Sequence, residues 1–242
     1  MAGTTTQPES PTGRHTGDPS PAPPGRELRS RIRLAAGTLA VAATTVAALL
    51  IWLPWPGRNN LTYADLRAAR EASWAGAMID TVATGAAAVM LGLTVCALAR
   101  GRGAAWARIG ALATALGGIV SAAGLAAMGL LVWYATDTNA LPAELGAAFL
   151  AYVEAETTPV AVLLVPGVLV FTLGVLALAV ALWRARTTPR WVSVALILLS
   201  LGVFVVPSGR AQDVTQAAQY LLFAATAVWA WRSVGRGRTA GI

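Results

Sequence analysis

Asp80 is the one ionisable residue that falls clearly inside a long apolar run, about one turn past Trp74. A carboxylate at the centre of a bilayer costs about 2.5 to 3.5 kcal/mol on insertion scales, and less near the interface. Such a residue either snorkels or packs at the edge of its helix, or it holds a proton or a cation. Gln216 and Gln219 lie at similar depth in a later apolar run, with Arg210 and Asp213 just before it. That depth groups them with Asp80 in one expected polar site, an outer-facing vestibule. The plainer reading of Asp213 and Gln216 is a helix start, with Asp213 as N-cap and Gln216 at N3. Glu154 and Glu156 are two apart, which sends them to well-separated directions on a helix and makes them a poor acid–base pair.

Other chemistries are excluded by residue counts. Cys96 is the single cysteine, so no disulfide within the chain and no cysteine-rich metal site can form. His15 is the only histidine and sits in a proline-rich segment, which removes a haem pair, a histidine zinc site and an intramembrane catalytic histidine. No metal and no cofactor is expected. Pro207-Ser208-Gly209 is followed by Arg210, where the lipid phosphatase element it resembles needs a histidine. No nucleophile elbow, phosphate-binding loop or His-Glu-x-x-His motif occurs.

The elements that must position Asp80 follow from composition. The chain has 242 residues, of which 56% are hydrophobic and 12% charged, outside the range of soluble globular domains. The expected fold is an all-α membrane protein, a six-transmembrane-helix bundle with spans at 34–53, 76–99, 109–134, 159–183, 191–206 and 214–231, each read from an apolar run. The last two runs are short, and the sixth carries Gln216 and Gln219. Residues 1–33 are poor in apolar side chains and rich in Pro, Ser, Thr and Gly, so they read as a disordered cytoplasmic tail. The first run ends in Trp52, Pro54 and Trp55, an interfacial anchor rather than a cleavage site. Residues 232–242 read as a basic cytoplasmic tail.

All 18 basic residues are arginine. A net charge of +7 invites a nucleic-acid reading, but the arginines stand in short clusters between apolar runs rather than on one soluble face, so nucleic acid is not an expected partner. With six spans, Arg31 and Arg33, Arg100 and Arg102, Arg184 and Arg186, and Arg236 and Arg238 all fall on one side, which the positive-inside rule makes the cytoplasm. Their expected role is topology and contact with anionic lipid headgroups of the bilayer. The acidic residues collect in the alternate loops of this cell-membrane protein.

Two of those outer loops carry helix signals. Thr62-x-x-Asp65 matches a capping box, opening a helix expected to continue through Arg67, Arg70 and Trp74 into the second span. Pro142, Glu144, Leu145, Phe149, Tyr152 and Val153 suit an interfacial helix, with a lid over a cavity as the functional alternative. In the third span Gly110, Thr114, Gly118 and Ala122 recur every four residues, a small-residue stripe for close helix packing. The default is packing within the chain; a membrane-protein partner or a second copy stays open. Pro166-Gly167 predicts a kink in the fourth span.

Ala97-Leu98-Ala99-Arg100-Gly101-Arg102 echoes Ala181-Leu182-Trp183-Arg184-Ala185-Arg186, which would relate spans two and three to spans four and five as parallel units. An inverted repeat of the transporter kind is not what this describes. The stretch from Pro159 to Arg232, with Val165-Pro166-Gly167 and Pro189-Arg190-Trp191, resembles uncharacterised multi-pass membrane proteins of high-GC actinobacteria. That resemblance implies six membrane helices and carries no catalytic residue across. The leading expectation is a non-enzymatic structural or regulatory membrane protein. A small transporter or channel-like protein built around Asp80 is second, and an intramembrane enzyme third.

Overall fold

The computed structural model describes residues 24–52, 62–99, 101–156, 158–207 and 209–236, and among them every regular element is a helix. Helix α1 spans Pro24–Trp52, α2 Tyr63–Ala68, α3 Arg70–Leu98, α4 Ala104–Ala135, α5 Ala143–Ala155, α6 Thr158–Ala185, α7 Arg190–Val205 and α8 Arg210–Arg236, with a 3-10 turn at Gly101–Gly103. Four stretches, in α1, α3, α4 with its preceding turn, and α6, are long and apolar enough to cross a membrane. At 29 residues, α3 reaches about 43 Å, well beyond a hydrocarbon core of about 30 Å. Helix α7 has 16 residues, and α8 opens with Arg210, Gln212, Asp213, Gln216 and Gln219, so neither meets that description by itself.

Several boundaries differ from the sequence expectation. Helix α1 begins at Pro24, inside the segment composition assigns to the tail. Proline is favoured in a first helical turn, where its missing N–H costs nothing, and Arg31 Nη2 donates to Glu27 Oε1 one turn away at 2.5 Å. The rest of that tail, residues 1–23, lies outside the described residues. Helix α8 likewise runs to Arg236, past the expected end of the sixth span. The Thr62 capping box is present, with Thr62 accepting from the Asp65 N–H and Asp65 accepting from the Thr62 N–H. These bonds hold the Asp65 carboxyl below its ordinary value near 3.8, the side-chain bond from Thr62 being the larger cause. The helix they open does not run on into the second span: it stops at Ala68, and α3 starts after a one-residue turn at Ala69.

Helix α4 inverts the packing of a soluble protein. Along α4 the large apolar side chains Ile109, Leu112, Leu116 and Ile119 are exposed, while Gly110, Thr114, Gly117, Ser121 and Gly124 are buried. With hydrocarbon as solvent there is no gain in hiding leucine, and small residues let backbones approach. Facing α4, α6 contributes Gly167, Phe171, Gly174 and Leu178: a Cβ on Gly117 would stand 2.1 Å from the Phe171 nitrogen, and one on Gly174 2.3 Å from the Thr114 nitrogen.

Helix α8 packs along α1, closing the bundle with α3, α6 and α7 around Leu39, Val46, Leu91, Val95, Leu178, Leu182, Leu196 and Phe223. Every described tryptophan lies near one end of a helix. Trp52, Trp74 and Trp133 mark one end of the bundle, and Trp106, Trp183, Trp191, Trp229 and Trp231 the other. Paired aromatic belts of this kind border a bilayer.

Candidate functional site

Local sequence explains how each polar group reaches the interior. Asp80 and Thr84 are four apart on α3 and share a face; Gln212, Asp213, Gln216, Gln219 and Tyr220 follow helical spacing along the first turns of α8. Ser121 and Thr172 lie on the small-residue faces through which α4 and α6 meet. These faces line a cavity of about 420 Å³ at the Trp52–Trp74–Trp133 end of the bundle, whose apolar lining includes Val46, Leu125, Phe171 and Leu164. That volume is within the ordinary range for a small-molecule site.

Within it, Thr84 Oγ1 donates to Asp80 Oδ1 over 3.5 Å, a long bond, and Tyr220 lines the same space. Tyr220 also presents an aromatic wall, as do Phe171 and Phe204. Gln219 Nε2 donates to Ser200 Oγ at 2.9 Å and Gln212 Nε2 to the Val203 carbonyl at 3.4 Å, so both amides also fasten α8 to α7. The Ser121 hydroxyl is different: although Ser121 lines the cavity, the hydroxyl is buried and has no hydrogen-bond partner among the described residues. Its oxygen is closed off from the cavity and packs toward Gly167 of α6, so it belongs to the α4–α6 seam.

Asp80, Gln216 and Gln219 therefore share one cavity, together with Asp213. Compared with protein-family models, curated proteins and solved structures, the chain has no match. The site must be read from its own atoms. Among the described residues, no three of His, Cys, Asp and Glu come together as metal ligands.

The small-residue stripe divides between two neighbours. Gly110 and Thr114 face α6, whereas a Cβ on Gly118 would meet Ala88 of α3, and Ala122 lies against Gly85 of the same helix. Four residues advance a helix by about 400°, so a strict four-residue repeat drifts around it by some 40° per step. The seam to α6 follows Gly110, Thr114, Gly117, Ser121 and Gly124, alternating steps of four and three as two packed helices require.

The arginines gather at the opposite end. Arg33 stacks 5.9 Å from the Trp231 ring, Arg184 5.7 Å from Trp106 and Arg190 5.5 Å from Trp183. Arg102 and Arg186 are exposed there, and Arg31 is paired with Glu27. Arg100, Arg238 and the side chain of Arg236 lie outside the described residues.

One cluster has no local signature in the sequence. Arg70 Nη2 donates to Asp137 Oδ2 at 2.8 Å, its Nε donates to the Trp133 carbonyl at 3.4 Å, and its guanidinium lies 3.6 Å from the Trp133 ring, which in turn packs 5.4 Å from Trp74. This clamp ties the start of α3 to the end of α4 just beyond the cavity. The two partners are 67 residues apart, beyond any periodicity that links residues of one helix.

Proposed function

We propose that the chain is a six-span protein of the cell membrane, with cytoplasmic termini, that binds a small organic ammonium ion in the polar cavity as the loading step of a transporter-like cycle. The observation carrying this reading is the convergence of Asp80, Asp213 and the rings of Phe171, Phe204 and Tyr220 on one cavity. Carboxylates supply the opposite charge, ring faces attract a cation whose hydration shell has been removed, and apolar walls admit its alkyl groups. A bound cation also offsets the cost of holding carboxylates within the membrane.

The six-span count rests on the course of α8. It accompanies α1 from the Arg33–Trp231 contact to the cavity that Val46 and Leu50 share with Asp213 and Gln216, so a membrane crossed by α1 is crossed by α8 too. Helix α7, about 24 Å long, then returns the chain with modest mismatch, absorbed by the interfacial residues at its ends. The arginine-rich end faces the cytoplasm by the positive-inside rule, and the cavity faces outward.

The test uses choline and its neutral isostere 3,3-dimethylbutanol with the purified full chain. Choline raises the melting temperature of the wild type, the neutral isostere does not, and Asp80→Asn weakens choline binding by roughly tenfold or more. In a Cys96→Ser background, cysteines at 80, 216 and 219 are labelled from outside by a membrane-impermeant thiol reagent. Absence of choline binding, with protection at all three positions, would return the protein to a non-enzymatic structural or regulatory role based on packed helices.

A further inference from the structure

A second space, independent of the polar cavity, opens on the side of the bundle between α1, α3 and the end of α8. It is a groove of about 1030 Å³ whose walls are almost wholly apolar, among them Val41, Val82 and Ala86. Along α1 it runs from Ser30 to Thr45, about 22 Å of helix, against roughly 15 Å for half a hydrocarbon core. Its one charged lining residue is at one end, where Ser30, Arg33 and Trp231 form the mouth; elsewhere Thr38 and Thr45 are the only polar lining residues.

Arg33 decides what the groove fits. Its Nε is buried and has no hydrogen-bond partner among the described residues, and its guanidinium is stacked against Trp231 rather than paired with an acid. A guanidinium donor without an acceptor is costly, and phosphate is the group its fork matches best. Exposed Arg29 and Arg232 add positive charge near this mouth, while the nearest acid in sequence, Glu27, is bonded to Arg31. We infer that the groove is a binding site for one anionic phospholipid of the arginine-side leaflet. Its phosphate accepts from Arg33, and an acyl chain lies along α1 past Val41 and Val82. Depth, apolar lining and a single cationic mouth are the features such a lipid requires.

Native mass spectrometry of the full chain, released from mixed micelles of detergent with equimolar phosphatidylglycerol and phosphatidylcholine, tests this. The wild type retains phosphatidylglycerol roughly tenfold over phosphatidylcholine: both offer the phosphate, but the choline ammonium places a like charge beside Arg29, Arg33 and Arg232. Arg33→Gln removes that preference, and Ala86→Phe, which fills the groove and leaves Arg33 in place, removes retention of both lipids. Equal retention by the wild type, or a preference unchanged in Arg33→Gln, overturns the proposal. So does a dimer that Ala86→Phe dissociates while the lipid remains, because the groove then belongs to a second copy. Circular dichroism of both variants separates loss of lipid from loss of fold, and the Asp80→Gln variant, whose side chain lines the polar cavity and not the groove, retains the lipid whatever the fate of the cavity.

Discussion

Arg70 shows what a single side chain contributes where a helix leaves the membrane. Its side chain is about one-fifth exposed, close to that of Asp137, so water screens the pair only in part. The ring contact with Trp133 adds a second attraction that depends on a flat, delocalised cation. Arg70→Ala is expected to lower stability by about 1 to 3 kcal/mol, and Arg70→Lys to recover less than half of it, because an ammonium keeps the charge and loses the stacking. Chemical denaturation in detergent, monitored by tryptophan fluorescence, measures both. Asp80 was legible from its type and depth, and Gln216 and Gln219 from their similar depth in a later run, since depth is read within one segment. The partner of Arg70 was not, because Trp133 and Asp137 reach it only after α3 and α4 have paired, and no local pattern encodes that.

At the scale of elements, apolar run length located the four helices long enough to cross a membrane, helical spacing located α5, and the capping box located the start of α2. The interruption at Ala69 was not legible: alanine is the best helix former, and nothing in its neighbours ends a helix. The stripe on α4 was legible as a packing surface but not as two surfaces, because its divergence depends on where α3 and α6 stand. The contact distances separate the glycines sharply. A methyl group at Gly117 would collide with the α6 backbone at 2.1 Å, while one at Gly85 would meet the Ala122 methyl at an ordinary 3.9 Å. Gly117→Ala is therefore expected to cost about 1 to 3 kcal/mol or more through overpacking, and Gly85→Ala to be neutral or stabilising by up to about 1 kcal/mol through helix propensity. Thermal unfolding of the two variants side by side checks the contrast, and an equal loss in both would mean that the α4–α6 seam yields readily.

For the whole molecule, orientation is the most direct prediction. The arginine-rich end and the cavity end are opposite faces of one bundle, so their accessibilities in intact cells must be opposite. In a Cys96→Ser background, Asn139→Cys is expected to react with an impermeant maleimide from outside, and Arg186→Cys only after the cells are permeabilised. The reverse pattern would invert the chain and turn the cavity toward the cytoplasm. Both sites lie between helices, and Asn139 touches the clamp only through its backbone N–H to Asp137 Oδ1, which a cysteine retains, so labelling reports side rather than damage.

The embrace of α1 by α8 also orders events at the ribosome. Everything from α3 to α7 is synthesised between these two helices, and pairing of the early helix with the late one must wait for all of it. Until then the buried face of α1, with Ala36, Leu39 and Ala43, is served only by α3 or by lipid. The cavity does not exist during that interval, because Gln212 to Tyr220 form its last wall. Any nascent chain released before α8 is made thus lacks the chamber altogether, whatever its earlier helices have already formed.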